Sequence, residues 1–301
     1  MKKLNILFTT LLMVSVVFTS CKNDDEGPNR VPPRDRGEEA IFAQAEIETY
    51  LETHFYNYEE FENPTSDFDF KIRFDTIADE NADKIPLIDQ VDFKMVKDRV
   101  ETDLIYKLYY LKVVQGEGES PNFPDIAVTN YEGRKLDNEL FDSSVIPVSF
   151  DLTRTVNGFQ DAMVEFNGAG AIIDNPDGSV SFEDFGVGAV FIPSGLGYFN
   201  NPPAASGILP YEQIIFTIQL YEVEEGDQDN DGIPSIMEDL NDNGLEEDDD
   251  TDEDGLPNYS DNDDDNDGRL TRNEIEINED GTITFPDVDG DGTPDYLDSD
   301  S

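Results

Sequence analysis

Residues 188–198 read Gly-Ala-Val-Phe-Ile-Pro-Ser-Gly-Leu-Gly-Tyr, and residues 214–223 read Ile-Ile-Phe-Thr-Ile-Gln-Leu-Tyr-Glu-Val. Both are compact apolar runs, and Pro193 and Gly195 stop the first, so Gly188 to Ile192 and Ile214 to Val223 read as strands of a packed domain. Upstream, Tyr106 to Val114, Ile126 to Tyr131 and Val148 to Leu152 have the same character and are separated by turns. Helical spacing among them occurs only at Gly158 to Glu165, with Phe159, Ala162, Met163 and Phe166 on one side. One short helix against an antiparallel sheet is an α+β arrangement whose concave face can hold a ligand.

Composition limits what the rest of the chain can be. The 301 residues carry 70 Asp+Glu against 19 Lys+Arg, a formal charge of −51, which repels phosphate backbones and excludes nucleic acid as a partner. Residues 226–301 hold −27 of that charge and only two basic residues, Arg269 and Arg272, which places a boundary near Gly226. The hydrophobic fraction of 37%, with 20 Phe and 12 Tyr, builds a core over part of the chain. A single cysteine, Cys21, excludes internal disulfides and thiolate metal clusters, so any metal is held by oxygen.

Lys2 and Lys3 precede Leu4 to Phe18, a run too short to span a bilayer but of the length of a secretory signal's apolar region. It ends in Phe18-Thr19-Ser20-Cys21, which resembles a bacterial lipobox with Phe18 where Leu is usual. The resemblance implies removal of residues 1–20, lipidation at Cys21 and anchoring in the cell envelope, on the periplasmic or surface face of the outer membrane. The alternative is an ordinary signal with an incidental cysteine. Residues 21–37 are polar, Pro/Gly-rich and aperiodic, as in a tether. Residues 38–103 read as a small α/β region. A helix from Glu38 to about Asn57 carries Ile41, Ala45, Tyr50, Leu51 and Phe55 on its apolar face, and a strand runs through Phe68, Phe70, Ile72 and Phe74. His54, the only histidine, reads as a packed or surface residue rather than a ligand.

Within residues 104–225, Tyr131-Glu132-Gly133, Phe141-Asp142-Ser143-Ser144, Val156-Asn157-Gly158-Phe159, Phe191 to Tyr198 and the closing strand through Phe216 occur in order. This set resembles FKBP-type peptidyl-prolyl cis-trans isomerases (rotamases). The resemblance implies a sheet wrapped on a short helix and an aromatic proline pocket. Tyr131, Phe141 and Phe216 would form its walls and Asp142 its polar rim. Val156 would supply a backbone donor, Phe159 the floor, Tyr198 a hydroxyl over the substrate carbonyl, and Ile208 one closing side. Departures from the family pattern are a shorter link between Phe141 and Pro147, no evident arginine for Asp142, Val148 where an aromatic is frequent, a longer link at 167–187, and Phe199 where glycine is common. Rotation about X-Pro breaks no bond, so this chemistry needs neither a nucleophile nor a cofactor.

The tail, residues 226–301, contains D-x-D-x-D-G-x5-E twice: Asp227, Asp229, Asp231, Gly232, Glu238, and Asp263, Asp265, Asp267, Gly268, Glu274. Carboxylates at positions 1, 3, 5 and 12 with glycine at 6 form the calcium-loop pattern. Asp239-x-Asn241-x-Asn243-Gly244, Asp250-x-Asp252-x-Asp254-Gly255 and Asp287-x-Asp289-x-Asp291-Gly292 keep the frame; Asp250 and Asp287 can each serve as position 12 of one loop and position 1 of the next, and Asp298 is a further candidate ligand. A degenerate frame begins at Glu276. The close spacing leaves no room for flanking helices, and the array resembles thrombospondin type 3-like repeats, which implies a largely loop-built structure wrapped on structural Ca2+. The alternative is a disordered acidic tail.

The expectation is therefore a lipid-anchored envelope isomerase acting on proline-containing exported polypeptides, with a calcium-dependent tail. The second candidate is a non-catalytic peptide-binding or scaffold lipoprotein whose calcium repeats mediate surface adhesion. The cup holds no oxygen cluster comparable to the tail's, so its turnover is expected to be insensitive to calcium.

Overall fold

The computed structural model describes residues 32–301; the expected signal segment and Cys21 lie outside the described residues. Asp35 opens helix α1 (Arg36–Thr53) by accepting the Glu38 N–H. The buried stripe of α1 is Ala43, Ile47, Tyr50 and Leu51, at helical i, i+4, i+7, i+8 spacing. This corrects the expected face: Ile41 and Ala45 point to solvent, and Phe55 lies beyond the helix in β1 (His54–Tyr56). After α2 (Tyr58–Glu62), β1 pairs with β2 (Phe74–Thr76). The strand expected through Phe68, Phe70 and Ile72 does not form. Phe70 adopts φ +54°, and Phe61, Phe68 and Phe70 gather into an aromatic cluster instead, with Phe61 and Phe68 4.9 Å apart. His54 stacks on Tyr50 at 3.9 Å, and burial lowers its pKa.

The chain continues through β3 (Asp92–Lys97), β4 (Ile105–Val114), β5 (Ile126–Lys135), β6 (Leu140–Asp151), α3 (Asn157–Met163), a hairpin of β7 (Ala171–Asp174) and β8 (Val180–Glu183), β9 (Gly186–Ile192) and β10 (Ile214–Glu224). Six strands form one antiparallel sheet in the order β3-β4-β9-β10-β5-β6. The long link at 167–187 is thus largely the β7–β8 hairpin, turned at Gly178 with φ +85°.

Two helices cover the sheet, where the sequence pointed to one. On one face Val190 and Ile192 of β9 and Phe216, Ile218 and Leu220 of β10 join Phe159, Ala162, Met163 and Phe166. On the other, Ala189 and Phe191 of β9 and Ile215 of β10 meet Ile47, Tyr50 and Leu51 of α1. Burial on both faces explains why the central strands read as continuous apolar runs rather than alternations. Strand β3 was invisible for the opposite reason: as an edge strand it leaves Phe93 and Met95 half exposed and buries only Val96.

Arg36 ties these layers together. Its Nε and Nη2 donate to Asp98 Oδ2 at 2.7 and 2.5 Å, and Nη2 also donates to the Gly195 carbonyl at 2.8 Å. The second Asp98 oxygen accepts the N–H groups of Val100 and Glu101. Asp98 is fully enclosed, so removing its partner strands a buried charge. Arg36→Ala is expected to lower the unfolding free energy by about 3–5 kcal/mol in denaturant titrations at fixed millimolar calcium. A loss within the ~0–1 kcal/mol of a surface pair would contradict the enclosure.

Candidate functional site

The even-numbered side chains of β10 end, at Phe216, in a cleft of about 260 Å³ lined by Tyr131, Asp142, Phe150, Arg154, Thr155, Val156, Phe159, Tyr198 and Phe216. Phe216 is its centre. Phe159 stands edge-on to it at 5.2 Å and Tyr131 lies tilted at 6.2 Å, while Phe150 meets Phe159 tilted at 5.6 Å and Tyr131 edge-on at 5.0 Å. Edge-to-face packing fixes these rings without filling the space between them. Phe159 is buried beneath the cleft as its floor.

Six of the eight residues expected to form the pocket line this cleft. The other two stand behind it. Phe141 packs edge-on to Phe216 at 5.6 Å, and its ring lies where a side chain at position 133 would reach, within 2.6 Å of a Cβ, which is why Gly133 is needed there. Ile208 is buried in the same core. Three lining residues were missed: Phe150, Arg154 and Thr155. Phe150 supplies the aromatic absent at Val148, and the β6 alternation that carries both positions was a usable signal. Arg154 also lines the cleft, but its Nε pairs with Asp151 at 3.2 Å rather than with Asp142.

The polar groups are few and placed at the edge. Asp142 accepts the Tyr131 hydroxyl at 2.8 Å and has no ion-pair partner among the described residues. Burial and the Asp142 contact push the Tyr131 phenol up to about 12, and burial also raises Tyr198, so both hydroxyls remain protonated donors at neutral pH. Val156 caps α3 in an extended conformation, with its carbonyl taking the Phe159 and Gln160 N–H groups. Tyr198 is presented by a turn after Pro193 in which Phe199 adopts φ +46°. The left-handed conformation explains the preference for glycine at that place. Here it is held by the Phe199 N–H to Ser194 O bond at 2.8 Å, by Tyr211 edge-on at 5.1 Å and by the Arg36 guanidinium 4.4 Å above the ring.

In the tail the loops share one backbone. Gly232, Gly244, Gly255, Gly268 and Gly292 all have φ between +76° and +105°, and Asn230, Asp242, Glu253, Asn266 and Gly290, two residues earlier, are also left-handed. In four loops the position-3 aspartate accepts the position-5 N–H, as in Asp231 N–H to Asp229 at 3.1 Å. Carboxylates converge within 4.8 Å at Asp227/Asp229/Asp231, Asp250/Asp252/Asp254, Asp263/Asp265/Asp267 and Asp287/Asp289/Asp291.

Two frames differ. At 239, positions 3 and 5 are the amides Asn241 and Asn243, so Asp239 is the one carboxylate among the three; it accepts the N–H groups of Asn243 and Gly244, and Asn241 donates to Asp249. The frame at Glu276 is a hairpin of β11 (Glu276–Ile277) and β12 (Ile283–Thr284) turned at Gly281. A small core of Ile233, Ile275 and Tyr296 joins the ends of the tail, and Asp298 closes the last turn through its carbonyl.

The donor set fits a hard cation. Asp227, Asp229, Asp231, Glu238, Asp250, Asp252, Asp263, Asp265 and Glu274 each carry an enclosed carboxylate oxygen with no hydrogen-bond partner. Burial, then neighbouring carboxylates, push Asp229 up to about 8 and Glu274 to about 7. Enclosed, unpaired carboxylates at this density require protons or a cation.

The tail also docks on the sheet domain. Gly226 N–H donates to Asp125 Oδ1 at 3.1 Å, Gln228 to the Pro124 carbonyl at 2.7 Å, and Gln160 of α3 to Glu246 Oε1 at 2.6 Å. Arg99 bridges Asp161 and Glu247.

Parts of the chain are similar to known proteins. Residues 228–286 match the family model described as BamM C-terminal. The peptidyl-prolyl cis-trans isomerase Mip of Coxiella burnetii is 30% identical over 122 residues, covering 39% of this chain and 45% of that protein. The probable FKBP-type peptidyl-prolyl cis-trans isomerase FkpA of Neisseria meningitidis serogroup B is 30% identical over 130 residues, covering 42% and 41%. This chain therefore spans under half the length of the curated relatives it matches. Among solved structures, a peptidyl-prolyl cis-trans isomerase of Pseudomonas syringae pv. tomato aligns at TM-score 0.33 and 21% identity over 39% of this chain and 76% of that one. FkpA of Escherichia coli aligns at TM-score 0.33 and 19% identity over 63% and 64%. The curated relatives are named as FKBP-type isomerases or prolyl isomerases, and the part of this chain similar to them is about two fifths of its length.

Proposed function

We propose that the cleft around Phe216 is the active site of a peptidyl-prolyl cis-trans isomerase of FKBP type. The observation that carries this reading is an aromatic cleft around Phe216 with Asp142, Arg154 and the Tyr198 hydroxyl among its lining. Twisting an X-Pro imide costs ~18–20 kcal/mol because amide resonance is lost, and the twisted form is less polar than either planar isomer. A cup of Tyr131, Phe150, Phe159 and Phe216 desolvates the imide and favours that form. The Tyr198 hydroxyl and the Val156 N–H grip the flanking carbonyls, and Asp142 with Tyr131 orients the entering backbone. No proton moves and no bond breaks, so rim donors and ring surfaces suffice.

The test is isomerisation of X-Pro peptides by the full chain in a protease-coupled assay. Tyr198→Phe is expected to lower kcat/KM by about 3–10-fold, the worth of one hydrogen bond. Phe159→Ala is expected to lower it further, with the near-UV signature of the fold retained. Wild-type protein that binds such peptides without turning them over would favour the binding-module reading.

The same proposal extends to location and metal. Clients are proline-containing exported polypeptides, met at a membrane to which the protein is fixed through lipid on Cys21. Cys21→Ser is expected to move the protein from the detergent phase to the aqueous phase, and unchanged partitioning would remove the anchor from the account.

The tail binds Ca2+ as a structural ion at the loops beginning at Asp227, Asp250, Asp263 and Asp287, supported by their enclosed or converging oxygens. Extracellular modules of this ligand type bind at ~10⁻⁴–10⁻³ M. The full chain should therefore be compact in millimolar calcium and show a larger radius of gyration by X-ray scattering in chelator. Equal radii with no binding heat would return the tail to a calcium-independent role. Helix α3 is held by Phe159, Ala162 and Met163 in its own core, so turnover on short peptides is expected to survive chelation.

A further inference from the structure

Asp264 lies outside the calcium-loop frame, at the second position of the loop that begins at Asp263, yet it is among the most enclosed acids of the tail. It and Glu238 are each 1% exposed. Both oxygens of Asp264, both of Glu238 and Oδ2 of Asp229 are enclosed and accept no hydrogen bond. One oxygen from each of the three residues falls within 4.8 Å of the others. Asp229 and Glu238 come from the first loop and Asp264 from the loop at 263, so the cluster joins two segments that the sequence frame treats separately. No lysine or arginine pairs with any of the three among the described residues; the nearest cation contacts go to Glu274 and to the Asn230 carbonyl.

Each protein feature around the cluster closes it. Thr271, itself buried, accepts the Asp264 N–H at 3.1 Å and fixes the backbone so that its carboxylate turns away from the Asp263/Asp265/Asp267 trio. Ile233, Ile275 and Tyr296 pack as the small core of the tail, and the Tyr296 phenol feels Asp264, Glu238 and Asp231. Three carboxylates shut in together without a cation or a donor describe half of a site.

We propose that Asp229, Glu238 and Asp264 form an inter-loop Ca2+ site that clips the first loop to the loop at 263. The ligand chemistry is all oxygen, with up to two oxygens per carboxylate and little access to water. Calcium accepts six to eight such ligands, including bidentate carboxylates, whereas magnesium retains water and nitrogen- or sulfur-seeking metals find no partner. Asp229 also belongs to the Asp227/Asp229/Asp231 group, so its carboxylate bridges two ions, whereas Glu238, the expected position 12 of the first loop, converges with Asp229 and Asp264 and not with that trio. The site rests on the calcium reading of the tail, and it adds to it: the ion closes the array into one body instead of occupying one more independent loop.

The test is calcium stoichiometry of the full chain by native mass spectrometry and calorimetry, for wild type, Asp264→Asn, Glu238→Gln, their double variant and Asp289→Asn. Asp264→Asn is expected to bind one ion fewer, and the double variant to lose the same single ion. Asp289→Asn, in a separate loop, should lose a different one. In chelator Asp264→Asn is expected to melt at the same temperature as wild type or higher, because a buried unpaired charge is gone, and in calcium to melt lower. Full stoichiometry in Asp264→Asn, two ions lost in the double variant, or an equal loss of melting temperature in chelator and calcium would overturn the inter-loop site. If wild type binds no calcium, the loop reading falls with it; if Asp289→Asn loses an ion and Asp264→Asn does not, only the inter-loop site falls.

Discussion

Strand β10 carries the structure because both of its faces are buried from Ile214 to Ile218 and again at Leu220 and Tyr221. Its pairing with β9 and β5 fixes the register of Phe216 opposite Val190 and Gly133, and that register brings one ring against Tyr131, Phe141 and Phe159 at once. A one-residue slip would exchange the α1 and α3 faces and put Ile215 in the cleft. The candidate pocket is thus the open end of the hydrophobic core rather than a feature laid upon it. Binding an apolar proline ring there continues the packing that holds the sheet together.

The tail obeys a different constraint. Its residues carry −27 with a core of three buried apolar side chains, so burial alone cannot gather it. What organises each loop is the left-handed glycine at the sixth position and the aspartate-to-backbone bonds around it, and what the loops gather is carboxylate oxygen without partners. The proposed calcium binding would make metal uptake and folding one process in the tail, while the sheet domain has its own apolar core. The bonds from Gly226, Gln228 and Glu246 to the domain give the folded tail a fixed seat beside α3.

Much of this was legible in the sequence, for reasons that differ by element. The central strands declared themselves through unbroken apolar runs, the pocket through five ordered segments, and the loops through glycine at a fixed place in each frame. The failures have physical causes. Edge strand β3 hides because one buried valine makes no pattern, and the face of α1 was read correctly at Tyr50 and Leu51 but not in its first turns, where Ile41 and Ala45 are exposed while Ala43 and Ile47 are buried. The strand expected at Phe68 to Ile72 gave way to aromatic clustering among residues whose backbone does not stay extended. Asp264 carried no signal, because its role depends on a neighbour 35 positions away in the first loop.

The central claim is that the cup around Phe216 accelerates rotation about X-Pro bonds. Exchange NMR of a proline-containing peptide with a catalytic amount of the full chain tests it most directly. The account predicts cis–trans exchange cross-peaks on the subsecond timescale that vanish when Phe159 is replaced by alanine; exchange no faster than the tens of seconds of the free peptide would contradict it.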